Sequence, residues 1–279
     1  MDRPWMIAAF SGWGDAAEAS SGAVQHLLDE WGADVVVELD AEDFYDFQVA
    51  RPILQQFGDF DPDLEWPSAL IYHGRPPRTE RDVLLLLAPE PNLRWPTFCH
   101  QVLDTAVRAG VTDLVLLGSL LADSPHTRPV PVVGTTNDTS TLIPPRGQES
   151  NYSGPVGITT ALMFEAAQVG LPAMSLWASV PHYLAEAPCP KASLALLGAV
   201  EDALGVTLPE GGLPELSEAW QRGAEHLYEH DEDVAEYVRS LEAEQEPEDL
   251  PQASGDAIAR EFERYLRRRQ GPGHGSPGL

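Results

Sequence analysis

Short apolar runs alternate with helical periods from the first residues to about residue 205, a rhythm that predicts strands bracketing helices. Met6 to Phe10 reads as a strand, Ala16 to Glu30 as a helix and Val35 to Leu39 as a second strand. Ala69 to Tyr72, Val83 to Leu87 and Leu114 to Leu117 read as buried strands, with a helix from Thr97 to Ala109 between the last two. A proline-punctuated turn precedes a small strand or hairpin at Val130 to Thr135. A helix from Ile158 to Val169, a strand from Ala173 to Val180 and a helix from Ala192 to Leu204 complete the pattern. The class is α/β, with a mixed sheet covered on both faces.

Beyond residue 206 the texture changes. Leu216, Trp220, Leu227, Val234, Val238 and Leu241 recur at spacings that suit one or two amphipathic helices, with a break at His230-Asp231. The surface between Glu229 and Asp249 is almost wholly acidic. A last helix is expected from about Asp256 to Arg269, followed by a Gly/Pro-rich tail. The expected organisation is an α/β core over 1–205, an acidic helical appendage packed on it over 206–270, and a disordered tail over 271–279.

Composition narrows the partners. The 279-residue chain is 43% apolar and 22% charged, ordinary globular values, but its formal net charge is −27. That charge argues against nucleic acid, which needs a basic stripe, and against anionic membranes. Solubility is its simplest role. No signal segment opens the chain and no apolar run can span a bilayer, so a cytoplasmic protein is expected. Cys99 and Cys189 lie far apart and form no metal-ligand spacing; no metal and no cofactor are expected. The chain holds sixteen arginines and one lysine, Lys191, at a predicted helix start where the macrodipole disfavours a cation. That placement makes Lys191 a site candidate.

The candidate chemistry collects after the strands. Ser11-Gly12-Trp13-Gly14-Asp15 is a glycine-bearing strand-to-helix turn suited either to an anion or to Asp15 acting as a helix cap. It is neither a dinucleotide fingerprint nor a P-loop. Pro89 to Trp95 presents Glu90 and Arg94, as a carboxylate or phosphate clamp or as an ion pair that stiffens the loop. After Gly118-Ser119 come Asp123, His126 and Arg128, with Asp123 orienting His126 beside an anion-binding Arg128 as one reading and loop-holding hydrogen bonds as the other. Tyr152-Ser153-Gly154-Pro155 leads into a helix start, a second anion cradle, and His182-Tyr183 follows the strand at Ala173. In open α/β sheets ligands bind beyond the carboxyl ends of strands, so these five loops are expected to converge on one crevice.

Several of these stretches resemble the proteasome assembly chaperone 2 family in its actinobacterial branch. The likeness rests on Gly12-Trp13-Gly14-Asp15-Ala16, Phe44-Tyr45-Asp46-Phe47-Gln48, Arg51-Pro52 and Glu90-Pro91-Asn92. It continues through Leu120 to Pro131, Tyr152 to Pro155, Val180-Pro181-His182-Tyr183 and Pro190-Lys191-Ala192. The resemblance implies a three-layer, phosphorylase/hydrolase-like α/β/α fold similar to purine nucleoside phosphorylases. It also implies homo-oligomers, with a trimer as one form, and a protein partner linked to the proteasome. The chain ends Ser276-Pro277-Gly278-Leu279 and lacks the hydrophobic–Tyr–any terminus of some archaeal relatives. The leading reading is a non-catalytic binding or assembly protein with a small-anion cleft at the strand ends. The alternative is a nucleoside-phosphorylase-type enzyme, with Arg94 or Arg128 on phosphate and His126 or His182 as acid or base.

Overall fold

The computed structural model describes residues 3–55, 62–76, 81–138, 142 and 153–244. Its central strand, β1 (Trp5–Ser11), is buried in six of seven positions, and alternate side chains enter opposite cores. Trp5, Ile7 and Ala9 face one cluster; Met6, Ala8 and Phe10 face the other. A strand this apolar on both faces belongs in the middle of a sheet covered on two sides.

The helix after it, α1 (Ala19–Trp31), is preceded by a 3-10 turn, Ala16–Glu18, in which Ala17 and Glu18 take left-handed backbone angles. β2 (Asp34–Leu39) is followed by a short helix α2 (Ala41–Phe44), then by β3 (Ile53–Gln55) and β4 (Asp63–Glu65), which pair only with each other. β5 (Ala69–Gly74), β6 (Val83–Pro89), α3 (Trp95–Ala109) and β7 (Asp113–Ala122) follow. β8 (Val132–Thr136), α4 (Ile158–Gln168), β9 (Ala173–Pro181) and α5 (Pro190–Leu204) complete the layers.

The seven-stranded sheet runs β2-β5-β6-β1-β7-β9-β8. β6, β1, β7 and β9 are mutually parallel, whereas β5, β2 and β8 join antiparallel to their neighbours, so the sheet is mixed as the sequence pattern indicates. α1 and α5 pack one face with Leu27, Leu196 and Val200; α3 and α4 pack the other with Phe98, Val102 and Leu162. At one sheet edge, β2 carries Asp34 and Glu38 and a register shift between Val35 and Val37, devices that discourage pairing with another strand.

Gly118 has a packing reason for being glycine. A Cβ there would fall 2.7 Å from the Trp177 ring, its partner across the β7–β9 pair.

The chain divides into two compact units, Met1–His226 and Leu227–Leu279, the division falling inside α6 (Leu213–His230). The expected break at His230-Asp231 is present: the Asp231 carboxylate accepts the backbone N–H groups of Asp233 and Val234 and caps α7 (Glu232–Glu244). Val238 and Leu241 are buried. Leu216, expected to face inward, is 57% exposed, and Leu213 and Ala224 are the buried residues of α6. The helix expected over 256–269 and the tail over 271–279 lie outside the described residues.

Candidate functional site

Because β1, β6, β7 and β9 are parallel, their following loops all leave the sheet at one edge. The loops after β1, β6 and β7, together with the start of α4, form a first group. Gly12, at φ +125°, sits where an added Cβ would lie 3.4 Å from that of Glu90, and Trp13 packs against Gly157. Glu90 Oε1 accepts the Ile158 N–H at 2.9 Å, so the helix start expected to cradle an anion already holds the protein's own carboxylate. Gly154 is exposed just before it, and Tyr152 lies outside the described residues.

Asp15 is buried and committed inside the first unit. One carboxylate oxygen accepts the Ser20 and Ser21 N–H groups and the Ser20 hydroxyl at 2.6–3.1 Å; the other accepts the Ser21 hydroxyl at 2.5 Å. It therefore satisfies donors in the first turn of α1, as a cap does, but from five and six residues upstream. Ser119 is bound as well: its N–H donates to Gly14 O and its hydroxyl to Ala16 O. Arg94, in a left-handed backbone position at the start of α3, is ion-paired with Asp43 of α2.

The second group surrounds His126, whose side chain is closed off from solvent. The Tyr183 hydroxyl accepts the His126 backbone N–H at 2.7 Å and lies 2.7 Å from Nδ1. The assignment that satisfies both contacts has the Tyr183 hydroxyl donating to an unprotonated Nδ1, which puts the ring proton on Nε2, facing Glu225 Oε1 at 3.7 Å. The Lys191 ammonium donates to the His126 carbonyl at 2.5 Å and to Gln221 Oε1 at 2.7 Å, and lies 5.9 Å from the centre of the Trp220 ring. Burial holds its pKa below the usual lysine value, against the opposing pull of Cys189 and Glu225. Asp123 faces His182 at 3.6 Å, both of them on the surface. Arg128 closes the turn through its N–H to Pro125 O.

Four of the five loops thus leave by one edge and the fifth reaches it at the start of α4, but their polar groups fall into two internally bonded sets. The enzyme alternative asks for an arginine and a histidine facing a shared void. With Arg94 tied to Asp43, the His126 imidazole enclosed and His182 paired with Asp123 on the surface, it finds no support here. Among the described residues no group of three His, Cys, Asp or Glu side chains could hold a metal ion. Both cysteines are buried, and burial pushes the Cys99 thiol up to about 12 and raises Cys189.

A profile of the PAC2 family matches residues 9–228, spanning both sets of contacts. The chain belongs to the PAC2 family. A PAC2 family protein from Streptomyces avermitilis is 46% identical, over 84% of this chain and 99% of its own, with a TM-score of 0.77. A proteasome-assembly chaperone homologue from Mycobacterium tuberculosis is 44% identical over the same shares, with a TM-score of 0.76. An archaeal proteasome activator from Pyrococcus furiosus, PbaB, is 16% identical over 81% of this chain and 93% of its own; its TM-score of 0.64 reflects a shared fold. No curated protein sequence matches the chain.

Besides the exposed pairs Arg94–Asp43 and Asp123–His182, this PAC2 chain leaves large apolar side chains open at the strand ends. Trp13 is 68% exposed, and Leu93, Leu120, Leu121 and Val156 are also exposed, on the loops or strand ends after β1, β6 and β7 and before α4. Sequence reasoning named Trp13 but missed these four leucine and valine positions. It also missed Gln221 and Glu225, whose i,i+4 spacing on α6, next to Trp220, was the available signal.

Proposed function

We propose that this PAC2 protein is a non-catalytic, protein-binding assembly factor of the cytoplasm, working with a proteasome-linked partner. The observation that carries the reading is the division of labour at the carboxyl edge. Charged groups there pair within the protein, even where Arg94, Asp123 and His182 reach the surface, and the exposed large apolar groups are Trp13, Leu93, Leu120, Leu121 and Val156. Large apolar side chains gathered at one edge fit a protein surface better than a small polar substrate. The relatives described as a proteasome-assembly chaperone homologue and a proteasome activator support the choice of partner. We further propose self-association of the α/β unit, with a trimer as one form, a phosphorylase/hydrolase-like ancestry for its mixed sheet, and an acidic appendage that serves solubility.

The test mixes the purified chain with proteasome α subunits of its own organism and follows complexes by native mass spectrometry. The wild type should form a complex, and Trp13→Glu with Leu121→Glu should weaken it at least about tenfold while the melting temperature stays within a few degrees. No complex, or a complex indifferent to both changes, refutes the reading.

A further inference from the structure

On the α1 face of the sheet a groove of about 670 Å³ opens, lined by residues of β5, β6, α1 and the start of α6. That volume lies within the range of small-molecule sites, roughly 300–1,000 Å³. Its floor is Leu70 and Tyr72 of β5 and Leu87 of β6; Trp66, Leu213 and Leu216 form apolar walls. None of the residues that the sequence nominated for a site lines it.

The polar groups of this groove differ in kind from those at the strand ends. Among the described residues, the Arg51 guanidinium makes no ion pair or hydrogen bond, and the hydroxyls of Ser11, Ser68 and Tyr72 make none either. An unpaired arginine is unexpected in a chain with 44 acidic residues and a net charge of −27. Two of those acids line the same groove and still do not pair with it: Glu65 accepts from Gln55 Nε2 at 3.0 Å, and Glu18 sits at the strained turn before α1. A planar fork of five donors left open beside an apolar, aromatic-walled space matches a carboxylate carried on an apolar body.

We infer that this groove binds a small carboxylic acid with an apolar body, its carboxylate on Arg51 and its body against Trp66, Leu70, Tyr72, Leu213 and Leu216. The groove meets the proposed protein-docking edge at Ser11 and Pro89, but its arginine and apolar walls lie outside that edge, and binding in it needs no protein partner.

Dodecanoate, kept below its micelle concentration, is titrated calorimetrically into the full-length chain, beside dodecanol of the same length and acetyl-Leu-Leu-Phe with a free C-terminus. Dodecanoate should bind one per chain at least about tenfold more tightly than dodecanol, a difference of about 1.4 kcal/mol. Arg51→Gln, a change at an exposed side chain, should erase that difference without lowering the melting temperature. Trp66→Ala should weaken acid and alcohol alike. Equal binding of acid and alcohol, no binding of either, or affinity unchanged in Arg51→Gln overturns the inference. So does binding of the peptide in place of dodecanoate, which would assign the groove to a protein terminus.

Discussion

Replacing Glu90 should uncover an anion site that the native protein keeps filled. Glu90 reaches across 68 residues of sequence to accept the Ile158 N–H at 2.9 Å, at the positive end of α4. Its removal deletes one helix-capping bond, which is worth about 1 kcal/mol, and a favourable charge at the helix start, worth about 0.3–1 kcal/mol. Glu90→Ala should therefore cost about 2 kcal/mol. For a unit of this size that lowers the melting temperature by about 4–8 °C. Glu90→Gln keeps an acceptor oxygen and loses only the charge, so about 1–3 °C is expected. The alanine variant also leaves an open donor at a helix N-terminus. Phosphate at ten times its dissociation constant would then restore about 1.4 kcal/mol to Glu90→Ala. The same phosphate should act less on the wild type, where the carboxylate competes. Scanning calorimetry of the three proteins with and without phosphate checks every step. A Glu90→Ala protein that melts within 1 °C of the wild type, or phosphate that stabilises both proteins equally, refutes the reasoning.

Two further outcomes follow from packing and burial. Gly118→Ala places a methyl group 2.7 Å from the Trp177 ring and should destabilise by about 1–3 kcal/mol, read as a lower urea midpoint with unchanged slope. With its pKa pushed up to about 12, Cys99 holds only about one thiolate in 10⁴ at pH 8, roughly 10³-fold less than a free cysteine. A thiol reagent should accordingly find neither cysteine of the native protein within minutes and both after denaturation; a fast native reaction would contradict the burial.

How much of this was legible in advance depended on the range of the forces involved. β1, β6, β7 and β9 were readable because strands buried on both faces must be apolar at nearly every position, and that is a local signature. α2, β3 and β4 were not, since elements of three or four residues are too short to carry a periodicity, whether a side chain is buried, as Phe44 is, or exposed. On α6 the apolar spacing pointed to Leu216 and Trp220; Trp220 does pack on the core, but Leu216 is exposed and the inward face is completed by Leu213 and the small Ala224, which an apolar count underweights. At the site, residue types were readable and partners were not. Asp15 was foreseen as a possible cap, yet its bonds skip the 3-10 turn to reach the tandem serines Ser20 and Ser21. Glu90 with Ile158, His126 with Tyr183 and Lys191 with Gln221 join residues 30–68 positions apart. A single sequence holds no record of such pairs, so groups that seemed to await a ligand had already been satisfied by the fold.

The same division between committed polar groups and exposed apolar ones makes a claim about salt. With a net charge of −27, two copies repel wherever they approach, and the repulsion is long-ranged at low ionic strength. The Debye length falls from about 30 Å at 0.01 M salt to about 8 Å at 0.15 M. Burial of exposed apolar side chains between copies would be insensitive to that screening or slightly strengthened by salt. An assembly held by apolar contact against like-charge repulsion must therefore tighten as salt is added. Ion pairs at an interface would give the opposite sign, weakening over the same range. Sedimentation velocity of the full chain at a fixed micromolar concentration, in 0.01, 0.15 and 0.5 M NaCl, separates the two. Self-association that rises with salt is the expected result. Assemblies that dissociate as salt rises would place the contact on charged surface.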